Sequence, residues 1–351
     1  MTAPTPWLKN STRGFTIALI SMDNRVIHIP RGHAPLPIKN GLNPTRARVP
    51  EEFAGRPAFD FLWHLISTQR RRNPADTVEA ARERFTQGQV VASRGQRGTV
   101  LSQSTLLSLD DDLWFYRMPT EEAPIPFSCE IIHEDDRLLV VDKPPFLATM
   151  PRGKHITQTA TVQMRRSTGI EDLAPAHRLD RLTSGVLVFT KERKYRGAYQ
   201  TLFAERKAQK TYEAVAAYDY SIEPGTVWRH RIEKIPGVMQ AEIIEGQANS
   251  ETLLAEIKPL PQERSERLAA RYGVDAELAT YVLKPATGKT HQLRVHMFAA
   301  GVPILGDPTY PCLLPETEES FAHPMHLTAR QLEFVDPITG EAQRFESTRV
   351  L

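Results

Sequence analysis

The stretch PAHRLDRLTSGVLVFTK, residues 175–191, decides most of what the sequence says about the fold. Its apolar run, residues 185–189, follows a Thr-Ser-Gly turn, and such a run predicts a strand buried on both faces. Asp180 stands between Arg178 and Arg181 just before this strand, and loops anchored on rigid strands are where reactive groups are usually displayed. Two interpretations stay open from these residues alone: an ion pair at a turn, or a nucleophile presented to an anionic substrate.

The composition is ordinary for a globular protein long enough for two domains. The 351 residues carry a net charge of +2, which permits nucleic-acid binding without indicating it. Cys129 and Cys312 lie far apart and lack zinc-ligand spacing, so we expect no metal site and no disulfide framework, as in a reducing cytosol. The first residues lack the apolar core of a signal peptide, and no apolar run approaches the ~20 residues that cross a membrane. We therefore expect a cytoplasmic protein without a membrane partner.

The N-terminal third is predicted to be an irregular extension followed by a small module. The extension is rich in Pro, Asn and Arg, and only FTIALISM, residues 15–22, is typical of a strand. From Ala58 the apolar residues recur at helical spacing, and a second helix follows with Asp76 or Thr77 as its cap. The predicted extension, module, proline-rich linker and catalytic domain are residues 1–52, 53–120, 121–127 and 128–351.

Two further segments carry residue types that suit chemistry on RNA. KTYEAVAAY, residues 210–218, alternates as a strand does, which puts Lys210 and Tyr212 on one face. A phenol beside a lysine can transfer protons or stack on a base, and a buried structural tyrosine is equally compatible. The helical segment before it, residues 192–210, has a basic outer face that is either solvated or a track for phosphates.

The segment YVLKPATGKTHQLRVHMFAAGVPILGD, residues 281–307, predicts a strand, a turn and a helix. Thr290 is the predicted cap of that helix, and Gly301 is its predicted end. Arg294 lies near the helix start, where the positive end of the helix dipole makes a cation mildly unfavourable. Such local violations cluster at functional sites, and Asp180 is a plausible partner for Arg294.

These three segments, in this order, resemble the RluA-type pseudouridine synthases. HRLDRLTSG resembles the nucleophile motif of that family, with Asp180 at the position of the catalytic aspartate. KTYEAV resembles the second motif, with Tyr212 at the active-site tyrosine. TGKTHQLRVHMFAAGVPILGD resembles the third, with Arg294 at the arginine that pairs with the aspartate. The resemblance covers residues 128–351, opening with LLVVDKP and closing with MHLTARQLEFVDPITGE.

Two features need separate mention. The family often has Lys-Pro-x-Gly after its first strand, whereas this chain has KPPF, with Phe146 at the glycine position. Many relatives carry an S4 RNA-binding domain at the N-terminus, and TVEAARERFTQGQVV, residues 77–91, faintly resembles its helix-turn-strand. We therefore predict an S4-like RNA-binding module over residues 53–120.

The resemblance implies an α+β fold with a mixed, mainly antiparallel sheet and flanking helices, plus the small S4-like module. It implies that uridine in structured RNA is isomerised to its C5-linked form by a monomer, without a metal or an organic cofactor. We favour 23S ribosomal RNA as the substrate, with a transfer RNA stem-loop, or both RNAs, as the alternative. A non-catalytic RNA-binding or ribosome-assembly protein is a competing hypothesis. A carboxylate-based hydrolase ranks last, because that chemistry needs two cooperating acids.

The resemblance also implies roles for individual residues. Asp180 is the nucleophile, either at C1′ or in abstracting the 2′ proton, and Arg294 keeps it ionised and oriented. Tyr212 stacks on the uracil or assists proton removal from C5. Arg178 fills the gap left when the target base leaves the RNA stack, a step that costs a few kcal/mol. The other RNA-binding candidates are Arg181, Lys210, His177, Lys289 and His291.

Three of these candidates keep alternatives. Arg181 closes the loop, meets a phosphate, or forms an intraprotein salt bridge. Lys210 is a partner for a phosphate or for the tyrosine. A lone loop histidine such as His177 is most often a hydrogen-bonding structural group.

Overall fold

The computed structural model describes residues 25–235, 237–315 and 319–350. They form two compact units. The N-terminal unit extends to Thr120 without residues 40–42, and the C-terminal unit comprises residues 40–42 and 121–351. The strand predicted over residues 15–22 lies outside the described residues.

Five short antiparallel strands and two helices build the N-terminal unit. The strands are β1 (Val26–His28), β2 (Thr45–Arg48), β3 (Val91–Arg94), β4 (Arg97–Val100) and β5 (Asp112–Phe115), and the helices are α1 (Ala58–Ser67) and α2 (Val78–Thr86). The strand order is β1-β4-β3-β5-β2, and a single apolar core joins the sheet to both helices.

The predicted helices are confirmed. Ala58, Phe61, Leu62 and Ile66 are buried along α1, because their spacing puts them on the face toward the sheet. Of the two cap candidates for α2, it is Thr77 whose side chain accepts a hydrogen bond from the helix backbone.

The predicted irregular extension differs from the structure in its described part. Strands β1 and β2 lie within residues 25–52 and pair with β4 and β5. Each has only three or four residues, and its partner comes at least 60 positions later, so local sequence carries little signal for it. The S4-like character of the module stays a prediction.

A large sheet forms the centre of the C-terminal unit. Its strands are β6 (Glu130–Glu134), β7 (Leu138–Lys143), β8 (Ala174–Pro175), β9 (Ser184–Thr190), β10 (Gln209–Ala217), β11 (Val227–Glu233), β12 (Glu242–Ile244), β13 (Ser250–Pro259), β14 (Leu278–Pro285), β15 (Leu327–Val335) and β16 (Ala342–Glu346). The helices are α3 (Ala160–Thr168), α4 (Arg193–Ala204), α5 (Gln262–Tyr272) and α6 (Gln292–Ala299). The main strand order is β12-β11-β13-β14-β10-β15-β9-β7-β6. Strands β9 and β15 pair in parallel and the other pairs are antiparallel, which confirms the predicted mixed α+β architecture.

Strand β9 is the predicted buried strand, and all seven of its residues are buried between β7 and β15. At Gly185 the backbone φ is +108°, and a Cβ atom there would lie 2.3 Å from the Ala329 carbonyl oxygen. Only glycine fits this close approach. The parallel pairing therefore fixes the end of β9 to which the Asp180 loop is attached.

The C-terminal residues close the same region of the sheet. Ser347 Oγ donates to the two carboxylate oxygens of Asp142 at 2.9 and 2.8 Å, and Thr348 N donates to the same carboxylate at 3.1 Å. Ser184 Oγ and Thr328 Oγ1 lie 2.9 Å apart. Strands β7 and β9 are thus held by residues that follow them by more than 140 positions.

None of the helices in the described ranges is both long and apolar enough to span a membrane. Cys129 and Cys312 are both free thiols. Across the same ranges, no three His, Cys, Asp or Glu side chains gather as a metal site would need.

Candidate active site

One cavity of about 570 Å³ collects side chains from all three sequence segments. The loop before β9 contributes Arg178 and Asp180, and strand β10 contributes Lys210 and Tyr212. Helix α6 contributes Arg294. These residues are far apart in the sequence, yet they line one concave site, which is the usual form of an active site.

Hydrogen bonds hold the backbone of the Asp180 loop on both sides of the carboxylate. Thr149 Oγ1 accepts from Leu179 N at 3.1 Å and donates to the Leu179 carbonyl at 2.8 Å. On the other side, Lys143 Nζ donates to the Arg181 carbonyl at 3.2 Å. The half-buried Asp180 is therefore positioned before any substrate arrives, which is what a reacting group needs.

Lys143 is a fully buried lysine beneath this loop. Its ammonium also donates to the carbonyls of Pro144 and Leu147, both at 2.8 Å, so three acceptors match its three donors. Burial lowers the pKa of Lys143 to about 7, and the nearby Asp180 carboxylate opposes that shift. Lys143 is not among the site residues predicted from the sequence, because a lysine at a strand end ordinarily reaches solvent.

Tyr212 reaches the cavity as a neutral phenol. Burial raises its pKa, and the negative charge of Asp180 raises it further. Lys210, two positions earlier, lines the same cavity, as the alternation of the strand predicts. A phenol that resists ionisation is a poor general base, but its ring offers an apolar face to a planar base.

Arg294 is buried, and its direct carboxylate partner is Asp307, not Asp180 as the sequence analysis infers. Its Nε donates to Asp307 Oδ2 at 2.7 Å and its Nη2 to Asp307 Oδ1 at 2.6 Å, and Nη2 also donates to Thr309 Oγ1 at 2.5 Å. The pairing with Asp307 raises the pKa of Arg294 against the effect of burial, and Asp180 adds to this through its field. Asp307 is the last residue of the third quoted segment. The sequence therefore contains this acid close to Arg294 but does not show that the two side chains pair.

The start of α6 differs from the prediction that Thr290 caps it. The cap residue is His291, in left-handed backbone with φ +58°. No side chain caps the first turn, and the Gln292 side chain instead holds the preceding turn by accepting from Lys289 N at 3.0 Å and from Thr287 Oγ1 at 2.7 Å. Lys289 itself is exposed and lines the cavity.

His291 faces the cavity without a positive charge at neutral pH. Its Nδ1 lies 3.2 Å from the Tyr310 hydroxyl. Burial, and then the nearby Arg294, lowers the pKa of His291 to about 4. The residue is thus available as a hydrogen-bonding group and not as a cation for phosphates.

The two arginines that flank Asp180 lie in different surroundings. Arg178 is exposed, lines the cavity, and has no carboxylate within 4 Å in the described part of the chain. Arg181 forms a bidentate ion pair with Glu319, one bond of which measures 2.9 Å. The structure thus realises the salt-bridge alternative for Arg181 and leaves Arg178 as the arginine that is open to a ligand.

His177 and Lys210 both lie close to the ring of Phe203. The His177 ring packs on Phe203 with centroids 4.4 Å apart, and its Nε2 accepts from Val188 N at 3.3 Å. Burial lowers the pKa of His177 well below its ordinary value, so His177 is neutral and structural. Lys210 Nζ lies over the same ring at 5.2 Å, and burial lowers its pKa as well.

The basic face of helix α4 is largely neutralised by carboxylates. Arg196 donates to Asp172 at 3.1 Å, and Lys194 and Glu192 lie 2.8 Å apart. These pairs favour the solvated-face interpretation of the segment over a track for phosphates.

The backbone conformation at Phe146 explains why glycine suits this position. Its backbone is left-handed, with φ +66°, which costs a residue with a side chain about 1 kcal/mol or more. The ring is buried and packs edge-on against Phe321 at 5.1 Å and parallel to Phe127 at 6.2 Å. Burial of the ring offsets the backbone strain, and none of the three motifs is disturbed.

Comparison with known proteins places these features in a family. Residues 137–299 match the family model described as RNA pseudouridylate synthase. The dual-specificity RNA pseudouridine synthase RluA of Haemophilus influenzae is 31% identical over 235 residues, which cover 64% of this chain and 94% of that protein. RluA of Escherichia coli K12 is 31% identical over 62% of this chain and 91% of its own length. The solved structure of human RNA Pseudouridylate Synthase Domain Containing 1 has a TM-score of 0.49 and 24% identity, covering 65% of this chain and 86% of that one.

The resemblance stated from three ordered motifs is therefore confirmed by a relative that the chain covers almost completely. The protein belongs to the RluA-type family of RNA pseudouridine synthases, and it is an isomerase that acts on RNA.

Proposed function

We propose that the protein converts uridine to pseudouridine in 23S ribosomal RNA, with Asp180 as the nucleophile. The observation that supports this most is the position of Asp180 in one cavity with Tyr212 and Arg294, on a loop whose backbone is hydrogen-bonded on both sides. Among the described residues that line this cavity, Asp180 is the only carboxylate. A two-acid hydrolase mechanism lacks its second acid here.

The net reaction replaces the bond between C1′ and N1 by a bond between C1′ and C5, and it exchanges the C5 proton for a proton on N1. Asp180 attacks C1′ or removes the 2′ proton, and by either route the bond between C1′ and N1 breaks. The base then rotates and C5 bonds to C1′, which breaks the Asp180–C1′ ester in the first route; in the second route C2′ takes its proton back from Asp180. The C5 proton then leaves and N1 gains a proton. Because the pKa of Tyr212 is raised, stacking on the uracil is the better supported of its two roles, and a preformed phenolate base is the less supported.

The cations at the cavity divide into two groups. Arg178 and Lys289 are exposed, and we assign them to the RNA, with Arg178 in the gap left by the extruded base. Arg181 is engaged by Glu319, and Arg294 by Asp307, so these two stabilise the site itself. Lys210 belongs to neither group: it lines the cavity with Tyr212, and its Nζ lies over the Phe203 ring.

A second substrate is favoured by the relatives. The matched RluA proteins of Haemophilus influenzae and Escherichia coli are named dual-specificity enzymes. We therefore keep transfer RNA as an additional substrate class for this protein.

The test is tritium release from RNA labelled at C5 of uridine, with unmodified 23S ribosomal RNA and transfer RNA in parallel. We expect Asp180→Asn to lose at least about 10³-fold in rate while RNA affinity changes little, because the change removes the nucleophile and keeps its shape. Asp275→Asn, at an exposed carboxylate outside the cavity, is the matched control and should keep full activity.

Each result has a defined meaning. Release from ribosomal RNA alone supports the proposal, and release from both pools adds the second substrate. Undiminished release by Asp180→Asn would show that the nucleophile is another group. Binding without release by the unmodified protein would favour a non-catalytic RNA-binding role.

A further inference from the structure

The backbone just before helix α3 binds a carboxylate of the chain itself. Glu122 Oε1 accepts hydrogen bonds from Ile156 N at 2.9 Å, from Thr157 N at 2.7 Å and from Thr157 Oγ1 at 2.9 Å. Its Oε2 accepts from Gln158 N at 3.1 Å. Three consecutive backbone N–H groups that converge on one anion form a nest, and hydrogen bonds to an ionised group are stronger than those between neutral groups. Residues 156–158 are therefore fixed by a side chain more than 30 positions earlier.

This contact lies apart from the residues that line the cavity at Asp180. Neither Glu122 nor residues 156–158 line that cavity. Glu122 is half-buried and stands directly after the change of unit at Thr120, within the C-terminal unit. The Glu122 carboxylate is thus not placed to meet the uracil, and an effect on the reaction has to pass through the protein.

A path of hydrogen bonds leads from the nest to the Asp180 loop. Helix α3 begins directly after the nest, with Thr159 as its N-cap. Thr161, in the first turn of that helix, donates to the Thr149 carbonyl from its backbone N at 3.1 Å and from its Oγ1 at 2.7 Å. Thr149 Oγ1 in turn makes the two bonds to Leu179, the residue before Asp180. Both threonines are buried, so water does not compete for these bonds.

Between Thr149 and the nest the chain makes an exposed turn. Arg152 N donates to the His155 carbonyl at 2.8 Å and His155 N to the Arg152 carbonyl at 3.1 Å, so the turn closes on itself. Met150, at the start of this turn, is exposed and lines the cavity. The bonds of Glu122 therefore tie down a loop whose first residues border the site.

We propose that Glu122 is a positioning residue for the reaction. Its carboxylate holds the backbone that precedes α3, and through Thr149 this holds the Asp180 loop in the geometry for attack. The inference rests on the proposed function, because it concerns how that same nucleophile is oriented. A displacement of about 1 Å at a reacting group can cost on the order of 10²-fold in rate, so a partial loss of order at the loop is measurable.

The first test compares single-turnover rates of tritium release from RNA labelled at C5 of uridine. We expect Glu122→Ala to lower this rate about tenfold while Kd for the RNA stays within about twofold, because Glu122 contacts the loop and not the cavity. Glu122→Gln keeps an oxygen at the place of Oε1, which accepts three of the four bonds, and should stay within about threefold of the parent rate. Glu121→Ala removes the same charge from the exposed neighbouring position and should leave both quantities unchanged.

A second variant tests the path through Thr149. Thr149→Val removes the hydroxyl that bonds Leu179 and keeps the shape of the side chain. If the two residues act along one path, Glu122→Ala/Thr149→Val should lose no more rate than the more damaging of the single changes. Losses that multiply would show two independent effects and would overturn the path. Thr157→Val, which removes one of the four bonds to Glu122, takes the place of Glu122→Ala if that variant does not fold in urea unfolding.

Hydrogen exchange gives a readout that does not depend on the chemistry. Glu122→Ala should speed exchange in residues 176–183, which include the Leu179 amide, and Glu121→Ala should not. The proposal is overturned if Glu122→Ala keeps the parent's exchange in this segment or the parent's rate, or if Glu122→Gln loses as much rate as Glu122→Ala. Absence of tritium release by the unmodified protein would count against the proposed function, and the exchange of residues 176–183 would still decide whether Glu122 holds the Asp180 loop.

Discussion

At the residue scale, Asp307 and Asp180 act on the same guanidinium in different ways. Asp307 holds Arg294 through two hydrogen bonds, whereas Asp180 reaches it through its field alone. The oxygens of Asp180 therefore stay available to a substrate, and the buried arginine is kept charged by another carboxylate. The orientation of Arg294 depends on Asp307.

Replacing Asp307 with Asn should show this dependence. We expect Asp307→Asn to lower the free energy of unfolding by about 3 kcal/mol, because a buried guanidinium loses its charged partner. The rate of tritium release should fall while RNA affinity is kept. Asp60→Asn breaks the exposed Arg56 pair and should cost less than about 1 kcal/mol. Equal effects of the two changes in denaturant unfolding would contradict this account of Arg294.

The backbone strain at Phe146 can be tested by comparing the stabilities of two variants. In left-handed backbone Ala is strained and Gly is not, so Phe146→Gly should be more stable than Phe146→Ala by about 1 kcal/mol. At Phe334, a buried residue of strand β15, the order should be reversed, because Gly weakens a strand. Both variants at each site should be less stable than the parent by about 3 kcal/mol or more in urea unfolding. The same order at both sites would rule out strain at Phe146.

Much of the candidate site is predictable from sequence, and the missing part is geometric. The motifs bring Asp180, Tyr212 and Arg294 to one cavity because each stands at a fixed offset from a strand or helix. The partner of Arg294 was predicted to be Asp180, and it is the path of the chain after α6 that brings Asp307 to the guanidinium instead. Lys143 was not predicted, because a lysine at a strand end ordinarily reaches solvent and because its three carbonyl partners belong to loops.

At the element scale, helix α6 carries both Arg294, which lines the cavity, and the buried His296. Arg294 faces Asp307, whereas His296 is buried on the same helix with its Nε2 3.1 Å from Ser250 Oγ and its ring beside His230. Burial, and then His230, lowers the pKa of His296 to about 4. The helix therefore packs best when this imidazole is neutral.

The stability of the protein should consequently fall in mild acid. An unfolded histidine has a pKa near 6.5, so between pH 6.5 and about 4 the unfolded chain binds a proton that folded His296 does not. This group lowers the free energy of unfolding by up to about 1.4 kcal/mol per pH unit in that window, and its contribution is fully recovered above it. His296→Gln should lose less stability than the parent between pH 7 and pH 5 in urea unfolding. Parallel losses in the two proteins would contradict the assignment.

At the scale of the whole molecule, the chain divides into two units. The fold of the C-terminal unit was predicted from the sequence, whereas two strands of the N-terminal unit were not. The structure places the change of unit at Thr120, next to the linker predicted at residues 121–127. The α+β fold of the C-terminal unit follows from buried runs such as β9, whose pattern is local. Strands β1 and β2 were not predicted, because proline-rich surroundings hide them and their pairing depends on residues much later in the chain.

The parallel pairing of β9 with β15 has a consequence for synthesis. Leu327, the first residue of β15, follows Asp180 by nearly 150 positions, and Ser347, which closes on Asp142, comes later still. At ~5–20 residues per second, a ribosome needs roughly 7 to 30 seconds to travel from the Asp180 codon to that strand. During this interval the Asp180 loop has left the ribosome or lies in its tunnel, but the strand that pairs with β9 has not yet been made. We therefore expect a nascent chain to be inactive toward the RNA around it until β15 has been synthesised and has paired with β9.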